Sequence, residues 1–168
     1  MITSDGQVAH RQLVDHLIES GALGSDWCPA FEAVHRGAFI PQTMWVEGGV
    51  LMPLCHTDNP EGWLQLAYAD DPVITQVDDG DPAPDGTGRR ITSSASMPTV
   101  VAQMLAYCDA QPGQRILEIG TGTGYNAALL AHRLGAGNVV TIEIDSGLTR
   151  TARCAEGGRL WRGHGSDR

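Results

Sequence analysis

Apolar residues recur at helical spacing in the first quarter of the chain. Between residues 8 and 20 they fall three or four positions apart, which predicts an amphipathic helix. A second helix is predicted where Ser25 or Asp26 can act as the N-cap and Pro29 occupies the first turn. Residues 1–7 carry no such pattern, so we expect them to form a loose end.

The middle of the chain mixes short apolar islands with acidic stretches rich in proline and glycine. Apolar runs at residues 44–46, 50–52 and 63–68 predict short strands or packing segments. The acids and glycines of residues 78–88 predict a mobile, solvated loop. These acids lack the spacing of an oxygen-ligand cation site, so no metal site is predicted.

A hydroxyl-rich segment, residues 92–97, precedes an apolar helical pattern that begins at Pro98. Proline suits the first turn of a helix, and Ser96 can act as its N-cap. We expect the segment to be a loop with one of two roles. It either caps the helix only, or it also lies over a ligand site and presents hydroxyl groups there. The residues alone leave both roles open.

The rest of the chain is organised around residues 115–125. A short apolar run there contains Glu118 and is followed by a glycine-rich segment. Three glycines stand at alternate positions: Gly120, Gly122 and Gly124. Glycine tolerates a positive φ and lets a ligand approach the backbone, so the pattern predicts a strand, a tight turn and a helix start. The helix is predicted over residues 126–134.

A second apolar strand is predicted over residues 139–143, and it ends in Glu143. This acid follows the glycine turn at about the 20-residue spacing that lets a carboxylate reach the ribose hydroxyls of a nucleotide-type ligand. The turn and the acid together therefore indicate a site for a nucleotide-like cofactor.

Two cofactors compete for this pattern. A dinucleotide site has the form G-x-G-x-x-G or G-x-G-x-x-A, which Gly122, Gly124 and Ala127 fit loosely. A turn for S-adenosyl-L-methionine has an acid followed by three alternating glycines, as in residues 118–124. The pattern favours S-adenosyl-L-methionine over the dinucleotide, and both over a glycine-rich turn that binds nothing.

Composition narrows the class of protein. A length of 168 residues suits one domain, and the net charge of −9 argues against a nucleic-acid partner. The four cysteines form no CxxC pair, which argues against a disulfide framework or a zinc site and fits a reducing cytoplasm. No signal peptide is visible and no apolar run reaches the length of a membrane span, so no membrane association is expected.

With these residues in hand, the chain resembles the protein-L-isoaspartate O-methyltransferases. The resemblance covers most of residues 8–156 and rests on several segments in the right order. These are residues 13–21, the R…F(V/I)P-like segment of residues 31–41, Ala67-Tyr68 with Asp70 to Pro72, the glycine motif of residues 115–131, and residues 140–143.

The resemblance implies an α/β, Rossmann-like S-adenosylmethionine-dependent methyltransferase fold with an incomplete sheet. It also implies three parts: an N-terminal helical, acidic-loop extension (1–90), a partial methyltransferase core (91–156) and an irregular tail (157–168). Methyl transfer to a carboxylate of a protein or peptide is the implied activity, in protein repair. Ser93 would orient the acceptor as the catalytic residue. The cofactor-binding residues would be Glu118, Gly120, Thr121, Gly122, Gly124 and Glu143.

The chain departs from the family pattern at its substrate segment and at its end. Ala95 and Ser96 replace the usual proline and the usual aromatic residue or histidine, which leaves a peptide-tailoring methyltransferase open. The later strands of the family are not seen, and residues 157–168 have no strand or helix pattern. A truncated remnant and a frame-shifted tail are therefore further hypotheses. A nicotinamide-dependent oxidoreductase is the weakest alternative.

Overall fold

The computed structural model describes residues 3–155, and the predicted irregular tail lies outside them. The elements in chain order are α1 (Ser4–Glu19), α2 (Cys28–Ala33), β1 (Thr43–Glu47), β2 (Leu51–Cys55), α3 (Pro60–Ala67), β3 (Val73–Val77), β4 (Ile91–Ala95), α4 (Pro98–Cys108), β5 (Ile116–Ile119), α5 (Tyr125–Leu134), β6 (Val139–Ile142) and α6 (Ser146–Ala155). Within this part of the chain, no helix is long and apolar enough to cross a membrane.

The strands form two sheets of different kinds. An antiparallel sheet has the order β2-β1-β3-β4, and β5 pairs with β6 in a parallel two-stranded sheet. The parallel pair runs in register from Ile116 opposite Val139 to Ile119 opposite Ile142. The fold is thus mixed α/β with a partial parallel sheet, as the sequence predicts.

Five local predictions need correction. Neither Ser25 nor Asp26 caps α2, because Trp27 is its N-cap residue and no side chain makes a capping hydrogen bond there.

The first helix begins at Ser4 rather than after a loose end, because the Thr3 side chain accepts a hydrogen bond from the Gly6 N–H. The last apolar island of the middle region belongs to helix α3 and not to a strand. Asn59 caps this helix by accepting from the Gly62 N–H at 2.9 Å, and a proline fills its first turn.

The hydroxyl-rich segment is the source of the other two corrections. Residues 91–95 form strand β4 and not a loop, because they pair with β3 along its whole length. Threonine is also a good strand former. Ser96 does not cap α4: Met97 is the N-cap residue, and no side chain makes a capping hydrogen bond there.

The main core is one cluster of buried side chains from helices α1 to α5, from the antiparallel sheet and from β6. Its members include Leu17, Phe31, Met44 and Leu129, each of which is almost completely buried. Strands β3 and β4 pair across residue 90, where the sequence divides the chain into an extension and a core. That division stays a prediction.

Arg36 is completely buried in this core, at 0% exposure. Its Nη1 donates to the carbonyls of Ala67 at 2.8 Å and Ala69 at 3.0 Å. Its Nη2 donates to the carbonyls of Asp71 at 2.9 Å and Ser96 at 3.2 Å. One guanidinium therefore ties the segment after α3 to the junction between β4 and α4.

The parallel pair buries one of its faces only. Val139 packs into the core with helix α5, and Ile116 packs against the same core. On the other face, Leu117 is 59% exposed, Ile119 79% and Ile142 37%. These three apolar side chains therefore stay partly or largely exposed to solvent.

Candidate cofactor site

The glycine turn follows β5 and leads directly into α5. Gly120, Gly122 and Gly124 have φ values of +89°, +54° and +89°, in the left-handed region that favours glycine. A Cβ atom on Gly120 or Gly122 would meet no other atom within 4 Å. These two glycines therefore present bare backbone to open space, as a ligand-binding turn requires.

Glu143 closes the turn from the neighbouring strand. Its Oε2 accepts a hydrogen bond from the Gly122 N–H at 2.9 Å. Its Oε1 accepts from the N–H groups of Ile144 at 2.8 Å and Asp145 at 3.1 Å. Parallel pairing of β5 and β6 brings the two strand ends together, and so the predicted acid lies directly against the predicted turn.

The Glu118 side chain connects β5 to helix α5 and to strand β6. Its Oε1 accepts from Asn126 Nδ2 and its Oε2 from Thr141 Oγ1, both at 2.6 Å. Thr141 Oγ1 also lies 2.6 Å from Thr121 Oγ1, so the network reaches the glycine turn. Burial raises the pKa of Glu118, while the hydrogen bonds from Thr141 and Asn126 oppose that shift.

A cavity of about 250 Å³ lies beside the turn. Its lining includes residues 118–123 of the turn together with Met104 of α4 and Ser94, Ala95 and Ser96 of the β4–α4 junction. Asn126 also lines it, and its buried Oδ1 atom has no hydrogen-bond partner. The unpaired acceptor, the open glycine backbone and the Glu118 carboxylate of the cavity fit a ligand that carries an ammonium group. The Glu143 carboxylate does not line the cavity but is bonded to the turn, where it fits ribose hydroxyls.

The structure brings together all the cofactor-binding residues that the sequence predicts. Glu118, Gly120, Thr121 and Gly122 line the cavity, Gly124 is the N-cap of α5, and Glu143 contacts the turn. Ser93 is placed differently. It is not among the lining residues, and its Oγ accepts a hydrogen bond from Thr75 Oγ1 at 3.2 Å.

The sequence reasoning missed three polar residues of this site: Asn126, Thr141 and Ser94. Thr141 sits opposite Glu118 in the parallel register, which strand alternation and pairing could have indicated. Asn126 is in the first turn of α5, on the helix end that faces the cavity. Ser94 would have been found only if the segment had been taken as a strand, because neighbouring residues of a strand face opposite sides.

The sequence model of the protein-L-isoaspartate(D-aspartate) O-methyltransferase (PCMT) family matches residues 59–155, more than half of the chain. The chain belongs to this family. A protein-L-isoaspartate O-methyltransferase of Methanothermobacter thermautotrophicus is 33% identical over 135 residues, 79% of this chain and 47% of the relative. One from Hyperthermus butylicus is 31% identical over 154 residues, 86% of this chain and 50% of the relative. The chain thus spans about half the length of these relatives.

Solved structures of the family share the fold. A protein-L-isoaspartate O-methyltransferase matches 94% of this chain and 42% of its own, with a TM-score of 0.65 and 22% identity. A putative enzyme of this type from Plasmodium falciparum, in complex with S-adenosyl-L-homocysteine, matches 87% of this chain and 54% of its own. Its TM-score is 0.60 and its identity 19%. At such identities the likeness establishes the fold.

Proposed function

We propose that this chain carries the cofactor half of an S-adenosyl-L-methionine-dependent O-methyltransferase that acts on isoaspartyl carboxylates of proteins or peptides. Membership of the family supports the class of reaction. The observation that carries the proposal is the open, left-handed backbone of Gly120 and Gly122 with Glu143 bonded to it.

The cofactor would be held by the predicted residues. The turn of Gly120, Thr121 and Gly122 would face the methionine part, with Gly124 setting the start of α5. Glu143 would accept hydrogen bonds from the ribose hydroxyls, since an ionised carboxylate is an acceptor only. Glu118 would order the turn through its bonds to Thr141 and Asn126.

When bound, the cofactor supplies an activated methyl group on a sulfonium. The acceptor carboxylate is already ionised near neutral pH, so the protein need not supply a strong general base. The residues of the site would contribute mainly by placing the two reactants in line. The carboxylate oxygen forms the new bond to the methyl carbon as the sulfur–methyl bond breaks, which leaves a methyl ester and S-adenosyl-L-homocysteine.

The acceptor would lie against β4 and its junction with α4. We propose Ser93, from the family pattern, as the hydroxyl that orients the acceptor carboxylate. Ser94 and Ser96 line the cavity and are the hydroxyls to test beside it. The partner would be a protein or peptide in the cytoplasm, with no nucleic acid or membrane involved, in keeping with a net charge of −9.

Calorimetric titration of the 168-residue chain with S-adenosyl-L-homocysteine tests the cofactor site. We expect micromolar binding by the parent chain and at least about tenfold weaker binding by Gly120→Ala, because the new methyl group projects toward the ligand. Gly113→Ala is the matched control. Gly113 has a φ of +90° and, like Gly120, open space around its Cβ position, but it precedes β5 and does not line the cavity.

The Gly113→Ala control shows how much of any weaker binding comes from backbone strain alone and not from a change at the ligand site. Equal weakening by both glycine variants would contradict a ligand at the turn. No binding by a folded parent chain would favour a remnant that has lost the activity. Stabilisation by a nicotinamide dinucleotide instead would favour an oxidoreductase.

A peptide-tailoring methyltransferase is the second candidate function. Ala95 and Ser96, which depart from the family's substrate pattern, both line the cavity. Transfer of labelled methyl groups to matched isoaspartyl and aspartyl peptides distinguishes the candidates. Selective methylation of the isoaspartyl peptide supports protein repair. Cofactor binding without transfer to either peptide supports a dedicated peptide substrate.

A further inference from the structure

A continuous path of hydrogen bonds connects the antiparallel sheet to the glycine turn, and Gln76 of β3 is at its centre. Gln76 Nε2 donates to Asp145 Oδ2 at 2.9 Å. Gln76 Oε1 accepts from Thr92 Oγ1 of β4, also at 2.9 Å. One side-chain amide therefore bridges strand β4 and the residue that follows Glu143 by two positions.

Both strands are irregular at this point. The β3–β4 register shifts between Ile74 and Gln76 and again between Gln76 and Val77. Gln76 is paired with Ser93 between these two shifts. A bulge adds an unpaired residue and re-aims neighbouring side chains, and bulges are common next to active sites. The pairs on either side of the shifts, Ile74 with Ser94 and Val77 with Ile91, share one register, in which Gln76 would lie opposite Thr92. The Thr92 hydroxyl therefore lies within reach of the Gln76 amide although the ladder pairs Gln76 with Ser93.

Asp145 transmits this contact to the predicted cofactor site. Its Oδ1 accepts from the N–H groups of Gly147 at 2.7 Å and Leu148 at 3.0 Å, at the start of α6. Its backbone N–H donates to Glu143 Oε1, while Glu143 Oε2 accepts from the Gly122 N–H. A displaced Asp145 would therefore release one of the bonds that hold the Glu143 carboxylate.

The polarity of Gln76 suits this position closely. It must accept a hydrogen bond from a hydroxyl and donate one to a carboxylate, and a side-chain amide does both. The same contact lowers the pKa of Asp145, with the hydrogen bond from Gln76 as the largest cause. A carboxylate at position 76 would instead face Asp145 with a second negative charge in a partly buried place.

We propose that Gln76 is a positioning residue for cofactor binding, which acts through Asp145 to fix the Glu143 carboxylate at the ribose hydroxyls. This inference rests on the proposed function, because it assigns the ribose to Glu143. It also couples the sheet that carries the acceptor strand β4 to the turn that binds the cofactor.

The test uses a reversal of polarity in the 168-residue chain. Gln76→Glu places two carboxylates side by side, and we expect about tenfold weaker binding of S-adenosyl-L-homocysteine by calorimetry. The double variant Q76E/D145N restores one donor and one acceptor in reversed order, and binding should return to within about threefold of the parent. Gln65→Glu, an exposed change of equal charge on α3, should leave binding unchanged.

A second ligand shows whether the effect passes through Glu143. The 2′,3′-dideoxy analogue of S-adenosyl-L-homocysteine cannot donate to this carboxylate, so its affinity should hardly differ between parent and Gln76→Glu. The ratio of the affinities for S-adenosyl-L-homocysteine and for its dideoxy analogue should therefore fall in Gln76→Glu and recover in Q76E/D145N. If Gln76→Glu does not fold, Gln76→Met carries the same comparison without the added charge.

Three results would overturn the inference: unchanged binding by Gln76→Glu, an equal loss for both ligands, or no rescue by the double variant. In each of these the parent chain still binds its ligand, so the proposed function stands. A folded parent chain that binds neither ligand would overturn the proposed function, and this inference with it.

Discussion

The antiparallel sheet and the parallel pair of strands differ in how much of their apolar surface is buried. In the four-stranded sheet Met44, Val73, Val77 and Ala95 are buried, whereas Met52 and Ile91 on its outer strands are 44% and 46% exposed. The buried guanidinium of Arg36 has four carbonyl partners. The β5–β6 pair has a helix on one face and exposed Leu117, Ile119 and Ile142 on the other. The chain spans about half the length of the two relatives described above.

The glycine turn is formed beside a parallel sheet of two strands in residues 3–155. Its geometry depends on the strand pair, on α5 and on side-chain bonds such as those of Glu118. The antiparallel region holds most of the buried core, and the parallel pair leads into the glycine turn. Substitutions can test each half of this comparison.

The largest effect is expected for Arg36→Met, which leaves four carbonyl groups without their donor. At about 1 kcal/mol for each lost bond, the free energy of unfolding should fall by about 4 kcal/mol. Arg11→Met, at an exposed position of α1, is the control. Urea unfolding followed by circular dichroism measures both variants. A similar urea midpoint for the two would contradict a stabilising role for the four Arg36 hydrogen bonds, which we call the Arg36 clamp.

The two faces of the parallel pair should respond very differently to truncation. Leu129 of α5 is completely buried, so Leu129→Ala should cost about 3 kcal/mol of unfolding free energy. Ile119 is 79% exposed, and Ile119→Ala should change stability by less than about 0.5 kcal/mol. The same unfolding experiment compares them, and a large loss for Ile119→Ala would mean that this face is covered in solution.

A smaller loss of stability is expected when the pH is lowered, and it should arise in the antiparallel part of the molecule. His10 and His35 stack at a ring-centroid distance of 3.8 Å, and burial lowers the pKa of both. These two histidines therefore bind protons more readily in the unfolded chain than in the folded one. Their contribution to the free energy of unfolding is fully present above about pH 6.5 and is lost as the pH falls through their lowered folded-state pKa values. Melting temperatures at pH 7.5 and 5.5 measure the decline.

His10→Gln should weaken this pH dependence, because glutamine does not titrate. His132→Gln, at an exposed position of α5, is the control. An unchanged pH dependence in His10→Gln would show that this ring is not a source of the acid sensitivity.

The smallest effect is expected at Glu118, whose contribution to stability should fall as the pH rises, opposite to that of the two histidines. Burial raises its pKa, so the folded chain holds this proton more tightly, and the associated stability is lost as the pH rises through the raised value. Glu118→Gln should therefore gain stability relative to the parent chain between pH 4.5 and pH 7.5. Glu19→Gln, exposed on α1, should show no such trend.

The glycine turn and its contact with Glu143 were predictable because their signals are local. Alternating glycines and an acid at the end of the next strand specify a turn and a neighbour without knowledge of the rest of the fold. Helix α3 and strand β4 were not predictable in this way. Their identity depends on the Asn59 cap and on pairing with β3, and a run of serine and threonine suits a loop equally well.

The position of the serines along β4 shows the same limit. Which of Ser93 and Ser94 faces the cavity depends on how β4 pairs with β3, and the register of that pairing shifts on both sides of the Gln76–Ser93 pair. Such shifts arise from contacts between strands and leave no pattern in the sequence. The roles of Arg36 and Gln76 likewise depend on partners about thirty to seventy positions away.

The Arg36 clamp has a consequence for how the chain can be divided. It joins residues before the exposed β3–β4 connection to Ser96 beyond it, and the strands on either side pair directly. A protease that cut the exposed residues 83–85 would therefore yield two fragments that stay associated. The same site is a natural place for new termini in a circular permutation or for a split reporter, since covalent continuity there is not what keeps the halves together.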